Sequence, residues 1–110
     1  MKGEHLGELE ELVMLAIGAM DKAAYSVNIL ELLKEETERT PDVTAVHAVL
    51  RRLESKGFVT SAMGGVTAER GGRRKRFFKL TNKGRKVLDE TMIARMNLYK
   101  RMLTLTVNEN

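Results

Sequence analysis

Twelve cations, from Arg51 to Lys86, fall within 36 consecutive residues, opposed there only by Glu54 and Glu69. That segment carries a net charge of +10, against −6 over residues 1–50 and zero over residues 87–110, although the whole chain is only +4. A cationic block of this density suits a polyanion, because each Lys or Arg that neutralises a phosphate releases a condensed counterion. Its densest part is Arg70, Arg73, Arg74, Lys75 and Arg76, preceded and interrupted by Gly64, Gly65, Gly71 and Gly72. Glycines leave the backbone unobstructed, so the cations can follow phosphates or reach into a minor groove. The glycine spacing does not fit a nucleotide-binding enzyme loop, since no Gly-Lys-Ser/Thr follows Gly65 or Gly71.

Other chemistry is poorly supplied. The chain has no cysteine, and its two histidines, His5 and His47, are far apart, so no metal site, disulfide or cysteine nucleophile is expected. Glu35, Glu36 and Glu38 crowd one helix end and read as solvated surface rather than a catalytic pair. No enzyme activity and no cofactor are expected. A length of 110 residues with 43% hydrophobic and 31% charged side chains implies one globular domain. The start carries Glu4, Glu8, Glu10 and Glu11, which is not the chemistry of a targeting peptide. The longest uncharged apolar run, Leu12 to Met20, is too short to span a bilayer. A cytoplasmic protein without membrane contact is expected.

The elements that must position the cations follow from periodicity. Leu6, Leu9, Leu12, Val13, Ala16, Ile17 and Met20 predict an amphipathic helix over residues 6–20, with Glu8, Glu10 and Glu11 on its polar face near the start. A second helix is expected from an N-cap at Ser26, through Val27, Ile29, Leu30 and Leu33, closed by the turn at Pro41. A third, over residues 44–56, would be capped by Thr44, bury Val46, Val49, Leu50 and Leu53, and end at Gly57. Residues 58–63 and 75–80 predict two strands joined by the basic loop, with Phe78 and Leu80 on one face. Thr81 then caps a last helix from about Asn82 to about Thr104. Two helices joined by a tight turn, followed by a hairpin, give a mainly α fold with a small β-hairpin: a winged helix-turn-helix over residues 1–80, and a long C-terminal helix over residues 81–110 belonging to the same compact unit.

In that fold the third helix enters the major groove. Thr44, Ala45, His47, Ala48, Arg51 and Arg52 lie off its apolar stripe; the small residues permit close approach, and either Arg can grip guanine or phosphate. The bland alternative is a solvated basic face. The wing, residues 64–76, offers Arg70, Arg73, Arg74, Lys75 and Arg76, of which about three can face one way on an alternating strand. Its alternative is a charged hairpin kept off aggregation pathways. Leu88, Met92, Met96, Tyr99 and Leu103 form an apolar stripe on the last helix that is expected, with Leu9 and Val13, to make the dimer interface; packing of the stripe back on the chain's own Leu9 and Val13 is the second possibility, and the two are compatible. Seven methionines could line a pocket for a small hydrophobic effector, or simply fill the interface.

The sequence resembles the PadR family of bacterial transcriptional regulators over about residues 6–88. The resemblance begins at Leu6-Gly7-Glu8-Leu9-Glu10-Glu11-Leu12-Val13-Met14-Leu15-Ala16-Ile17 and continues in Ala24-Tyr25-Ser26-Val27-Asn28-Ile29 and in Leu50 to Val59. It is sharpest from Glu69 to Arg85, with a Gly-Gly, basic, paired-aromatic, Leu-Thr, Gly-Arg signature. His47 stands where the family usually has tyrosine, and Ala48 where proline is frequent. With one helix after the wing, the chain resembles the short subgroup, whose last helix mediates dimerisation. The resemblance implies a homodimeric repressor on palindromic double-stranded DNA. The competing expectation is a winged-helix module that binds protein or RNA without reading DNA.

Overall fold

The first three helices of the computed structural model each end where a backbone N–H finds a carbonyl partner. The structure describes residues 5–64 and 75–109, with side chains to residue 105. Its order is α1 (Glu8–Ala19), α2 (Ser26–Thr37), α3 (Val43–Ser55), β1 (Val59–Met63), β2 (Arg76–Leu80) and α4 (Asn82–Glu109). The elements are those expected from the sequence, with ends moved by one to five residues. The reasons lie in the caps. Ser26 is the first helical residue of α2 rather than its cap, because Asn28 Oδ1 accepts the Tyr25 N–H at 2.8 Å and fixes Tyr25 in extended geometry. Asp42 displaces Thr44 at α3, its carboxylate accepting the Thr44 N–H at 3.3 Å. Thr81 does cap α4, its hydroxyl accepting from Gly84 N–H at 2.9 Å and donating to Gly57 O at 2.7 Å.

The α3 terminus sets the course of the wing. Gly57 has φ +81°, its N–H bonds Glu54 O at 3.0 Å, and Phe58 N–H bonds Leu53 O at 2.9 Å. These are the paired bonds of a Schellman motif, which only glycine closes without strain. Phe58 is thereby driven into the core and β1 begins one residue later. β1 and β2 pair antiparallel with Val59 opposite Leu80 and Met63 opposite Arg76. A bridge between Ala24 and Phe78, whose N–H donates to Ala24 O at 2.9 Å, stitches this hairpin to the α1–α2 connection.

One core joins all the elements. Val13, Met14, Ile17, Ile29, Val46 and Leu53 have no exposed surface, nor has Phe58 beneath the hairpin. Each such side chain contributes about 1.5–3 kcal/mol by burial. Two expectations change here. Glu10 and Glu11 do not lie on a polar face: both are buried, since Glu10 precedes Val13 and Met14 by one turn on the same stripe, and Glu11 turns toward α4. Val13 and Leu88, expected at a subunit interface, are 0% and 5% exposed within the chain itself and are closed to any partner.

Gly84 marks the tightest crossing, where α4 runs over the end of α3. A Cβ at this position would sit 2.0 Å from Phe58 O and 2.8 Å from Phe58 C, both of them backbone atoms. The substitution G84A is therefore expected to lower the unfolding free energy by about 1–3 kcal/mol. Urea denaturation of the variant beside the wild type checks it; equal midpoints would show that α4 can lift away from Phe58.

Candidate nucleic-acid interface

The exposed side of α3 is built by subtraction: its apolar stripe fills the core, and what remains outward is Thr44, His47, Arg51 and Arg52, with Ala45 and Ala48 half-buried between them. The neighbouring arginines meet different fates. Arg52 is drawn toward α1, where its Nε donates to Glu10 Oε2 at 3.2 Å. Lys56, one turn on, reaches the same carboxylate at 3.1 Å. Arg51 projects from the other flank and makes no hydrogen bond or ion pair among the described residues; the same holds for His47. The structure therefore separates a committed cation from an available one, a distinction invisible in the sequence.

The wing stem is fastened to α3 by a short polar chain. Arg76 Nη1 donates to Ser61 Oγ at 2.9 Å, and that hydroxyl donates to Glu54 Oε2 at 2.7 Å. Lys75 stands 4.4 Å above the Tyr25 ring, which meets Phe77 edge-on at 5.7 Å and 80°. A cation–π contact of this kind contributes about 0.5–1 kcal/mol at an exposed site, and it aims the base of the wing across the start of α2. Between α3, the start of α2 and the stem lies a groove of about 730 Å³, reached by His47, Arg51, Lys75 and Arg76. Of the wing cations expected to act, Lys75 and Arg76 are placed here; Arg70, Arg73 and Arg74 lie outside the described residues. Tyr25, Glu54 and Ser61 were not foreseen. Tyr25 follows a β-bridge that no periodicity announces, and Glu54 and Ser61 meet only once the hairpin is folded onto α3.

The Glu10 carboxyl is held below the ordinary glutamate value of 4.5. Burial alone would push it up; the Gly7 N–H at 2.8 Å and the Lys56 and Arg52 cations outweigh that. Glu11 receives both Nε and Nη2 of Arg95 in a fork that joins α1 to α4 and raises the affinity of that guanidinium for its proton. Along α4, Leu9 of α1 and Met92 are half-buried, while Met96, Tyr99 and Leu103 are 52%, 53% and 45% exposed. Among the described residues, no group of three His, Asp or Glu could hold a metal ion, and no helix is long and apolar enough to cross a membrane.

The three-helix core, hairpin stem and exposed α3 define a winged helix-turn-helix. Residues 14–90 match the Transcriptional regulator PadR-like family, and the chain belongs to that family, whose members are transcriptional regulators rather than enzymes. Solved structures agree on the fold. A PadR-like transcription factor from Bacteroides fragilis is 23% identical, with a TM-score of 0.72 over 88% of each chain. A PadR family transcription regulator from Clostridium difficile R20291 is 21% identical, with a TM-score of 0.72 over 88% of this chain and 97% of its own. Bacillus subtilis PadR, solved in complex with operator DNA, is 20% identical, with a TM-score of 0.65 over 77% of this chain and 47% of its own. No curated protein matches the sequence.

Because the folded Glu10 carboxyl titrates below its ordinary value, its contribution to stability is present above that value and disappears as pH falls through it and then through the lower folded one. E10Q is expected to be about 1–3 kcal/mol less stable than wild type at pH 7, through loss of its charged hydrogen bonds. The gap should close progressively as pH drops below about 4.5. Urea unfolding from pH 7 to pH 3 measures it; a gap constant with pH would mean the carboxylate charge plays no part.

Proposed function

We propose that the chain is a homodimeric, sequence-specific repressor that reads double-stranded operator DNA with α3 and holds its backbone with the wing. The observation carrying this reading is the convergence of Arg51 and His47 on α3 with Lys75 and Arg76 on the stem around one groove. An exposed guanidinium without a partner among the described residues is the group best suited to guanine O6 and N7, and Ala48 beside it keeps the helix surface low enough for close approach. Arg52 serves Glu10 first and reaches a phosphate only from the edge. Arg70, Arg73 and Arg74 would extend the cationic track along the backbone.

The dimer follows from α4. Residues 93–105 are exposed throughout, a length of about 20 Å, yet carry Ile93, Met96, Leu98, Tyr99, Leu103 and Leu105. These span a broader arc than a two-helix seam requires. Met96, Tyr99 and Leu103 form one line; Leu98 and Leu105 continue the side that the body covers earlier, at Val87 and Thr91. We infer that α4 packs along its twin with the first line and on the partner's body with the second, Leu9 supplying rim contact. Twofold symmetry then presents two α3 helices to half-sites about 34 Å apart. Met92 and Met96 serve this seam as filler in place of an effector pocket.

R51A is expected to lose about 1–3 kcal/mol of operator affinity while unfolding at the wild-type urea concentration, because Arg51 makes no hydrogen bond or ion pair among the described residues. For about eight neutralised phosphates per dimer, log Kd should vary with log salt with a slope near 7. Binding to a duplex of the protein's own promoter, titrated against random duplex at about 150 mM salt, checks both. No preference for the promoter would refute specific readout. M96E should yield a monomer by light scattering at micromolar concentration; a wild-type chain already monomeric there, with no duplex binding, would favour the interaction-module reading.

A further inference from the structure

One acid stands among the cations of the groove between α3 and the wing stem. Of the described residues that line it, Arg51, Lys75 and Arg76 attract a polyanion, whereas Glu54 repels one. The nearest cation on its own helix is Arg51, three positions back, a spacing at which opposite charges commonly pair. Glu54 instead reaches off α3 to β1, where it accepts from Ser61 Oγ at 2.7 Å, and Ser61 accepts from Arg76 of β2 at 2.9 Å. Arg51 is thereby left without an ion pair among the described residues.

The direction of this chain is forced. An ionised carboxylate only accepts, so the Ser61 hydroxyl gives its single proton to Glu54 and turns its lone pairs to Arg76. Arg76 spends one N–H on that hydroxyl and keeps the rest of its donors. Arg95 is the contrast, committing both Nε and Nη2 directly to Glu11. A hydroxyl set between carboxylate and guanidinium orients the cation without covering it. The strand register supplies the contact: Ser61 faces Phe78 and Met63 faces Arg76, so Ser61 and Arg76 are diagonal neighbours on one face. Elements α3, β1 and β2 thus meet at a single hydroxyl.

We propose that Glu54 and Ser61 are positioning residues for duplex binding: they hold the Arg76 guanidinium at a set distance from α3, with its remaining donors available to a backbone phosphate beside the bases that α3 reads. This rests on the proposed function and deepens it. An arginine ordered in advance loses less freedom on binding than one that the phosphate itself must immobilise. The acid in the groove gives up some attraction for the polyanion and in exchange fixes the spacing between wing and α3.

The experiment is a double-mutant cycle on duplex affinity, with the full chain, promoter duplex and random duplex, each titrated over a range of salt. Thermal melting verifies that each variant folds. R76A should weaken both duplexes alike and lower the log–log salt slope by about 2 per dimer, one phosphate from each subunit. S61A keeps every charge and should still weaken both duplexes by about tenfold, whereas S61T, which keeps the hydroxyl, should bind as the wild type does. In the R76A background S61A should change nothing further, because the group it aims is gone. E54Q should help R76A, by removing a repelling charge, more than it helps the wild type, where it also frees the direction of the relay. An R76A slope equal to the wild type's overturns the phosphate contact. S61A that binds as the wild type does, or more tightly, overturns the aiming role, as does an equal loss in both backgrounds. Equal effects of E54Q in both backgrounds remove Glu54 from it. These outcomes leave the DNA reading intact; a wild type that binds no duplex overturns both.

Discussion

Two adjacent carboxylates at the start of α1 face inward, and they hold the two working helices to one frame. Glu10 takes Arg52 and Lys56 of α3, and Glu11 takes Arg95 of α4. Neither acid can be left without its partners at low cost, because a buried charge that loses its counter-ion loses most of what offsets its desolvation. Helix α1 is thus a spine whose first turn is clamped from both sides.

The same clamp explains why two neighbouring arginines serve different ends. Adjacent helical positions point about 100° apart, so one of them must face α1 if the other faces the wing. Glu10 selects Arg52 for the frame. Arg51 is left outward by geometry, beside a groove whose opposite wall is fixed by the Arg76–Ser61–Glu54 chain. The pairing that stabilises the fold and the exposure that suits recognition are two consequences of one helical rotation.

Periodicity made the elements and most of the core legible from the sequence. Val46, Val49, Leu50 and Leu53 lie inside as their spacing requires, Gly57 closes α3, and Thr81 opens α4. What could not be read was the outcome of local competitions. Asp42 and Thr44 are both good caps, and the acid captured the free N–H. Ser26 lost its expected place because Asn28, inside the helix, reaches back to Tyr25. Glu10 and Glu11 read as surface because glutamates at a helix start normally are; only the arrival of α3 and α4, 42 and 84 residues away along the chain, gives them internal partners. Long-range pairing of this kind leaves no periodic trace. Leu88 likewise belongs to the apolar stripe of α4, but the stripe does not say where the body ends, and Leu88 falls inside that boundary while Met96 falls beyond it.

Placing the ion pairs also changes how the charge asymmetry acts. The acidic first half, −6 by count, does not present all of its acids outward: Glu10 and Glu11 are internal, and each is neutralised by cations from the later part of the chain. Arg52 and Lys56 are correspondingly withdrawn from the basic block. The fold therefore uses part of the asymmetry for itself, as attraction between α1 and the helices packed on it. The remainder is concentrated at Arg51, Lys75 and the wing beyond it, where no acid of the first half is paired with them among the described residues. A field focused on one groove steers a polyanion far more effectively than the same charge spread evenly over the surface, because the potential at the groove mouth decays within about one Debye length. The modest total of +4 thus understates the local field.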